Sequence, residues 1–132
     1  METGFSVTTT ASSQLLDITA RVSEAIASLD LREGAVMVFV PHTTAGVTIN
    51  EAADPDVAAD LTAALERMVP SGMRFRHAEG NSPAHLRASL VGSSVLVPVS
   101  RGRLCLGTWQ GIFFCEFDGP RTRRVLVRGL AS

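Results

Sequence analysis

The chain has three histidines, and two of them, His77 and His85, flank a Glu-Gly-Asn-Ser-Pro turn in the stretch HAEGNSPAHL. With Ser82 as the cap, the Ser-Pro pair predicts a helix whose third residue is His85. The positive end of a helix disfavours a second positive charge, so His85 should stay neutral and could ligate a metal or accept a proton. Gly80 and Asn81, just before this helix, have the composition of a phosphate-binding turn. The pattern fits a phosphate site, a metal site, or simply a histidine that helps to cap a helix.

A second group of polar residues lies in PHTTAGVTINE, residues 41–51. His42, Thr43 and Thr44 follow directly on the apolar run AVMVFV, and polar groups at the end of such a strand need partners if they are buried. Asn50 and Glu51 end the next predicted strand. Glu51 has no evident structural role, so we regard it as a candidate base or ligand.

A third candidate stretch is LGTWQGIFFCEFDGPR, residues 106–121. Trp109 and Gln110 lie between glycines at a predicted strand junction, although a lone tryptophan is more often part of a core. Glu116 interrupts an apolar strand, so its carboxylate must face solvent, pair with a charge or line a site. Arg121 and Arg123 alternate onto one face of the next segment, which fits either a solvated strand or a clamp for a phosphate or carboxylate.

Composition limits the function classes. The 132 residues form one predicted domain, 1–132, and the net charge of −1 argues against a nucleic-acid or membrane-surface protein. All twelve basic residues are arginine, which excludes a Schiff-base lysine and a Walker-type phosphate loop. Cys105 and Cys115 lack metal-ligand spacing and are interpreted as buried thiols. With no apolar run long enough to span a bilayer and no secretory pattern, we expect a cytoplasmic protein.

The first half of the chain predicts strands in FSVTTT and QLLDIT, then a helix that begins at Thr19, with Thr19 as its cap. The continuous apolar run at 35–40 predicts a strand buried on both faces, followed by a short strand at 46–50. Asp54 and Pro55 are typical of a helix start, and a helix is predicted from Pro55 to about Val69. Its predicted apolar stripe is Val57, Leu61, Leu65 and Met68.

A polar loop should follow Pro70 and lead into the short helix that carries His85, with Leu86 and Leu90 as its inward pair. Four consecutive strand-like segments complete the chain and predict a meander. Together these elements predict an α+β domain with a largely antiparallel sheet of six to eight strands and two or three helices. Such a sheet needs its edges covered, and oligomerisation is one way to cover them.

The stretches FVPHTTAGVTINEAADPDVAADL, HAEGNSPAHLRASLVGSSVLVPV and GRLCLGTWQGIFFCEFDGPRTRRVLV together resemble the YjbQ-like family, whose members are often called secondary thiamine-phosphate synthase enzymes. The resemblance covers about Ser6 to Val127. It implies a homotrimer in which the motif residues gather in one pocket near the subunit interface. The residues that it places there are His42, Thr44, Asn50, Glu51, His77, Gly80, Asn81, His85, Gly107, Thr108, Trp109, Gln110, Glu116 and Arg121.

The resemblance implies an enzyme that joins a pyrimidine pyrophosphate to a thiazole phosphate and releases pyrophosphate, usually with Mg²⁺. His42, Glu51, His77 and His85 would be its catalytic residues, and the other motif residues would bind the phosphorylated substrate. Three histidines suit Zn²⁺ better than Mg²⁺ as ligands, so a further hypothesis is that the synthase reaction is a side activity. A metal-dependent hydrolase of phosphorylated metabolites, with His42, His77 and His85 holding the metal, and a non-enzymatic metabolite-binding trimer are the alternatives.

Overall fold

The computed structural model describes residues 1–70 and 72–132. Ser71, in the polar loop expected after the second helix, lies outside the described residues. The described chain confirms the predicted α+β fold, with three helices and eight strands. In chain order the elements are β1 (Glu2–Thr8), β2 (Gln14–Asp17), α1 (Thr19–Ser28), β3 (Gly34–Phe39), β4 (Ala45–Glu51), α2 (Pro55–Met68), α3 (Ser82–Val91), β5 (Ser94–Ser100), β6 (Arg103–Leu104), β7 (Gln110–Glu116) and β8 (Thr122–Ala131).

The strands form two antiparallel sheets in place of the single sheet that we expected. The larger sheet has the order β1-β8-β3-β5-β6 and the smaller one the order β2-β7-β4. The predicted meander of the last four strands is therefore wrong. Only β5 and β6 pair with each other, over two residues, whereas β7 joins the smaller sheet and β8 lies between β1 and β3. Strand propensity marked these segments correctly but carries no information about which strand pairs with which.

The layers follow from the alternation of apolar residues along each strand. The main core lies between the two sheets and α1, and includes Val36, Val38, Ile112, Phe114 and Val125. A smaller core on the other face of the three-stranded sheet packs α3 and part of α2 against residues such as Phe113 and Phe117. The molecule is thus built as large sheet, small sheet and helices, and the small sheet is covered on both faces.

At the start of α1 the N-cap position is occupied by Ile18, and the side-chain hydrogen bonds are made by Asp17 before it. The carboxylate of Asp17 accepts hydrogen bonds from the backbone N–H of Thr19 at 2.9 Å and from its hydroxyl at 2.6 Å. The Thr19 hydroxyl in turn accepts the backbone N–H of Ile112 at 2.9 Å, which ties α1 to β7. Thr19 is therefore the first residue of the helix and not its cap.

The start of α2 is predicted correctly, since the Asp54 side chain accepts the backbone N–H of Asp56 at 2.9 Å. Its apolar stripe is less buried than expected: no residue of α2 is fully buried, and Met68 is 64% exposed. The end of the helix is held by Arg87 of α3, whose guanidinium donates to the carbonyls of Leu65, Glu66 and Val69. Hydrogen bonds from Arg87 thus hold the end of α2, where few apolar side chains are buried.

The helix α3 differs from the prediction at its start and in its inward face. Asn81 occupies the N-cap position in place of Ser82, so His85 is the fourth helical residue. Leu86 and Leu90 are 42% and 59% exposed, which makes their assignment as the inward pair wrong. The buried face carries Pro83, Ala84 and Ala88 instead. Small residues face inward because the helix lies close to β4: a Cβ on Gly46 would approach the carbonyl oxygen of Gly92 to 2.5 Å.

The outer face of the five-stranded sheet is not covered within one chain. Leu96 and Leu130 are 61% and 47% exposed there, and Met37 and Phe39 are half-buried. The strand at 35–40 therefore buries one face and not both. Cys105 is also exposed, contrary to expectation, whereas Cys115 is buried. Among the described residues, no helix has the length and hydropathy needed to cross a membrane.

Candidate functional site

His42, which follows β3, and His85, on α3, both line a pocket of about 450 Å³. Hydroxyl groups and small side chains complete the walls. The full lining is His42, Thr43, Ala45, His85, Ala88, Ser89, Gly92 and Ser93. The structure therefore brings together two of the four predicted catalytic residues, which are 43 positions apart in the sequence. The pocket has no charged side chain among its lining residues, so its polar character comes from imidazole and hydroxyl groups.

The imidazole of His42 is held in one orientation by the backbone of β8. The N–H of Arg124 donates to Nε2 of His42 over 2.8 Å. A nitrogen that accepts such a bond carries no proton, so the neutral ring has its single proton on Nδ1. In this arrangement His42 is a hydrogen-bond donor through Nδ1 and is not free to act as an acceptor through Nε2.

The surroundings of His42 keep its ring neutral. Burial lowers the pKa of His42 below its ordinary value of 6.5, and the positive charge of Arg123 lowers it further. The carboxylate of Glu116 acts in the opposite direction without reversing the shift. The imidazole of His42, which lines the pocket, is thus neutral at neutral pH.

His77 contacts His85 but does not itself line the pocket. Their ring centroids are 5.3 Å apart with an interplanar angle of 86°, an edge-to-face contact. The Nε2 atom of His77 lies 3.8 Å from a carboxylate oxygen of Glu79, and both side chains are largely exposed. The pocket itself runs along the flank of α3 through Ala88 and Ser89, and not at the helix start where we expected a phosphate cradle.

The backbone amides at the start of α3 are also fewer than expected. The N–H groups of Ala84 and His85 both donate to the carbonyl of Asn81, at 3.0 and 3.3 Å, and Pro83 has none. Gly80 supplies the left-handed turn before the helix, with a φ of 78°. This turn positions α3 but offers little of the amide cradle that its composition suggested.

The three histidines do not fit a three-ligand metal site within one chain. Across residues 1–70 and 72–132, no three His, Cys, Asp or Glu side chains converge closely enough to hold an ion. His42 is also engaged, since its Nε2 accepts the Arg124 N–H and a metal on Nδ1 would require a fully deprotonated ring. Only His77 and His85 are adjacent, and two imidazoles fall short of the three protein ligands of a catalytic zinc.

Glu116 is fully buried, with 0% of its surface exposed, and both carboxylate oxygens are occupied. It accepts five hydrogen bonds, from the Thr9 hydroxyl, the backbone N–H groups of Phe117 and Asp118, and two atoms of the Arg123 guanidinium. Burial alone would raise the pKa of Glu116, but the bonds from Arg123, Asp118 and Thr9 outweigh it and leave the pKa below its usual range. Glu116 is therefore an ionised partner of Arg123 and does not face the pocket.

Arg123 connects this carboxylate to the loop that carries His42. Its Nη2 atom donates to the hydroxyl of Thr44 at 2.8 Å, and Arg123 and Thr44 are only 5% and 6% exposed. The Thr44 hydroxyl, which the resemblance places in substrate binding, thus points to Arg123 inside the protein.

Asp118 ties two further motif residues to this end of β7. Its Oδ2 atom accepts the side-chain amide of Asn81 at 3.0 Å and the guanidinium of Arg121 at 3.1 Å. Arg121 also donates to the Asp118 carbonyl at 2.7 Å, so its guanidinium lies against Asp118 and not along the pocket. The Oδ1 atom of Asn81 is buried, and no group in the described part of the chain donates to it.

The remaining motif residues lie at the opposite end of the β4–β7 ladder. Glu51 pairs with Gln110, whereas Ala45 pairs with Glu116 at the other end. Six residue steps of about 3.4 Å separate these pairs, or about 20 Å. Trp109 is 63% exposed on the turn that leads into β7. The motif residues gathered at this end are Asn50, Glu51, Gly107, Thr108, Trp109 and Gln110.

Local hydrogen bonds fix this turn. The carbonyl of Trp109 accepts the N–H of Ala52 at 2.8 Å, and the side-chain carbonyl of Gln110 accepts the N–H of Gly107 at 2.8 Å. The predicted single pocket is therefore divided within one chain. We call the two groups the histidine end (His42, Thr44, Asn81, His85, Glu116, Arg121 and Arg123) and the tryptophan end (Asn50, Glu51, Thr108, Trp109 and Gln110).

Comparison with known proteins identifies the family. The family model described as UPF0047 protein YjbQ-like matches residues 3–132. The chain belongs to the YjbQ-like family. It is 47% identical over 123 residues to the UPF0047 protein YugU of Bacillus subtilis, which covers 92% of this chain and 93% of that protein. It is 46% identical over 124 residues to the UPF0047 protein MJ1081 of Methanocaldococcus jannaschii, over 94% of this chain and 90% of that protein.

Solved structures agree with the fold of this YjbQ-like chain. A family protein from Clostridium acetobutylicum superposes with a TM-score of 0.94 at 48% identity, over 97% of this chain and 99% of that one. A hypothetical protein from Aeropyrum pernix K1 gives a TM-score of 0.94 at 38% identity, over 100% and 99% of the two chains. The names of these relatives give the family and not a reaction, so the chemistry has to be argued from the residues.

The structure adds residues to the YjbQ-like site that sequence reasoning missed. Thr9 and Asp118 donate to Glu116 in the buried network, and Ser89 and Ser93 line the pocket. Arg123, a candidate carboxylate clamp in the sequence, binds the carboxylate of Glu116. Ser89 lies four residues after His85 on the same helix, a spacing that could have placed it on the same wall. Nothing in the sequence pairs Arg123 with Glu116, because the two residues lie on different sheets.

Proposed function

We propose that this protein is an enzyme of the secondary thiamine-phosphate synthase type that binds a phosphorylated small molecule between His42 and His85. The observation that carries the proposal is that two imidazoles line one pocket of about 450 Å³, and that one of them is held with its proton on Nδ1. A neutral imidazole donor and the hydroxyl groups beside it can bind phosphate oxygens and stabilise the charge of a departing pyrophosphate.

The proposed reaction needs no proton transfer from the enzyme at the bond-forming step. The thiazole nitrogen attacks the methylene carbon of the pyrimidine pyrophosphate, the C–N bond forms, and the C–O bond breaks as pyrophosphate leaves with the electron pair. His42 and His85 stabilise the leaving group. The thiazolium product carries a positive charge, which the carboxylate of Glu51 can stabilise, and the exposed face of Trp109 can stack on either ring.

These roles need both ends of the β4–β7 ladder, which are about 20 Å apart in one chain. We therefore propose that the tryptophan end of one copy faces the histidine end of the next. Because two different surfaces meet, the contact is head-to-tail and closes into a ring, which for this family we take to be a homotrimer. The uncovered sheet face around Leu96 and Leu130 supports association, since exposed apolar patches mark interaction surfaces.

A mixing experiment tests the shared site. His85→Ala and Trp109→Ala proteins are assayed separately, and after joint unfolding and refolding, for thiamine phosphate formed from a pyrimidine pyrophosphate and a thiazole phosphate. Each variant alone should be nearly inactive. A random one-to-one mixture should recover about a quarter of the wild-type sites, because a ring pairs one intact pocket with a neighbour's intact tryptophan. Recovery of no activity by the mixture would contradict the shared site.

Substrate binding without product, in the wild type and under every condition tried, would favour the alternative of a metabolite-binding protein. A metal-dependent hydrolase is favoured by one observation only, the 5.3 Å contact of His77 and His85, and it would need further ligands from a neighbouring copy. Elemental analysis of protein purified without chelators, beside His85→Ala, tests that case. One bound metal per chain in the wild type, lost in the variant, would support it.

A further inference from the structure

We infer that Arg123 is a positioning residue of the pocket, and that with Glu116 as its counter-ion it holds residues 41–44 so that His42 presents one fixed donor. The inference rests on the proposed function, in which the His42 donor binds a phosphate oxygen of the ligand. It assigns Thr44 and Glu116 to support of His42 and not to contact with the ligand.

The first observation is where the ion pair lies. Arg123 comes from β8 of the five-stranded sheet and Glu116 from β7 of the three-stranded sheet, so their contact joins the two layers. Both side chains are almost fully inaccessible, at 5% and 0% exposed. A guanidinium fork fixed on a carboxylate by two parallel bonds is among the most directional contacts that a protein can make.

The second observation is that two consecutive residues of β8 donate hydrogen bonds to the segment that carries His42. The side chain of Arg123 donates to the hydroxyl of Thr44 at 2.8 Å, and Thr44 is two residues after His42. The backbone N–H of the next residue, Arg124, donates to the imidazole at 2.8 Å. One contact fixes the loop and the other fixes the ring, and both depend on the position of the same strand segment.

The energetics of buried ion pairs make a purely stabilising role a weak explanation. Removing two charges from water costs several kcal/mol per ion, and replacing such a pair by apolar residues is often neutral or stabilising. What an apolar pair cannot supply is the directed bond to the Thr44 hydroxyl. The expected consequence of losing the pair is a looser His42 in a folded protein.

The test compares wild type with the apolar pair Arg123→Met/Glu116→Leu. The ¹⁵N chemical shifts of the His42 ring report which nitrogen carries the proton, and titration calorimetry with inorganic pyrophosphate reports binding. The double variant should fold, its His42 shifts should move from a single tautomer towards a mixture, and its pyrophosphate affinity should fall on the order of tenfold. Unchanged shifts and unchanged affinity in the folded double variant would overturn the inference.

A matched pair at Thr44 decides the matter if the double variant does not fold. Thr44→Val removes only the hydroxyl and should give the same change in the His42 shifts, whereas Thr44→Ser keeps the hydroxyl and should restore the wild-type tautomer. Equal His42 shifts in Thr44→Val and wild type would also overturn the inference. Failure of the wild type to bind pyrophosphate would count against the proposed function alone, because the tautomer measurement needs no ligand.

Discussion

The two ends of the β4–β7 ladder differ in how deeply their residues are buried and in the hydrogen bonds that hold them. At the histidine end, Glu116 and Arg123 are buried and are joined by two directional hydrogen bonds from the guanidinium to the carboxylate. At the tryptophan end, Trp109 is 63% exposed, and the hydrogen bonds are local ones within and beside its turn. One end is thus organised by the chain itself, and the other presents side chains outward. This contrast is consistent with our proposal that the site is shared between copies.

The difference follows from the strands on either side of β7. The short strand β2 pairs with β7 from Phe113 to Glu116 and does not reach Gln110. At the histidine end β7 is therefore a central strand between two partners, beneath the second sheet, and a carboxylate there must find partners of its own. At the tryptophan end the first residue of β7, Gln110, pairs with β4 alone among the described strands, and its side chain is exposed.

The largest expected effect comes from breaking the buried pair on one side only. Arg123→Met leaves the Glu116 carboxylate buried without its counter-ion, and we expect it to lower the free energy of unfolding by about 3–5 kcal/mol. Urea unfolding followed by circular dichroism measures this change. A loss of less than about 1 kcal/mol would show that water reaches Glu116 and that the histidine end is not closed as described.

The control for this prediction is the apolar pair Arg123→Met/Glu116→Leu. Because it removes both charges together, it should recover most of the stability lost in the single variant. A double variant as unstable as the single one would mean that packing, and not the uncompensated charge, is responsible for the loss.

At the tryptophan end we expect the reverse pattern, with little effect on the fold and a large one on association. Trp109→Ala should change the stability of the isolated subunit by less than about 0.5 kcal/mol, since surface substitutions usually do. It should weaken self-association by about 2 kcal/mol or more, as truncation of a buried interface tryptophan does. Sedimentation equilibrium and urea unfolding measure the two quantities.

Met68→Ala is the matched control, because Met68 is 64% exposed, about as much as Trp109, and lies on α2, outside both groups. It should leave self-association unchanged. Equal sedimentation behaviour of wild type and Trp109→Ala would argue that the tryptophan contacts no neighbouring copy.

The sequence predicted those parts of the fold that depend on local signals. The Asp54-Pro55 start of α2 is correct because a cap and a fixed φ act within one turn. The prediction of the inward face of α3 is wrong because it assumed that the largest apolar side chains are the buried ones. Close packing against β4 admits only small residues such as Ala84 and Ala88, and so leaves Leu86 and Leu90 outside.

The sequence indicated which residues of the candidate site are unusual, but not which of them lie close together. Sequence reasoning noticed Glu116 as an unusual carboxylate and stated that it must pair, face solvent or line a site. Its partner Arg123 is on another sheet, and strand order is not encoded in any local pattern. The bond from Arg124 to His42 likewise spans 82 residues. Such contacts are determined by tertiary pairing, which only the folded chain displays.

A smaller effect is expected from two glycines on β4 and β7 that lie towards opposite ends of the ladder. An added Cβ would come within 2.5 Å of the Gly92 carbonyl oxygen at Gly46, and within 2.5 Å of the Ala52 side chain at Gly111. The Gly92 carbonyl oxygen is fixed by the N–H of Val47 beside buried residues, whereas Ala52, although its N–H bonds to the Trp109 carbonyl, is exposed and its backbone can move towards solvent. Gly46→Ala should therefore destabilise by roughly 1–2 kcal/mol, and Gly111→Ala by less. Equal losses in thermal unfolding would mean that the two ends are equally rigid.

The smallest expected effect is the pH dependence contributed by His42. Its pKa is lowered in the folded protein by burial and by Arg123, so the unfolded chain binds the proton more readily. The stability that depends on a neutral His42 is complete above the unfolded value of about 6.5 and is lost as the pH falls below it. His42→Gln, whose side-chain oxygen can still accept the Arg124 N–H, should therefore lose less stability than wild type between about pH 7 and pH 5. Urea midpoints that fall in parallel for the two proteins would mean that the ring is as solvated in the folded state as in the unfolded one. The histidine end would then be open to water like the tryptophan end, and the contrast between them would disappear.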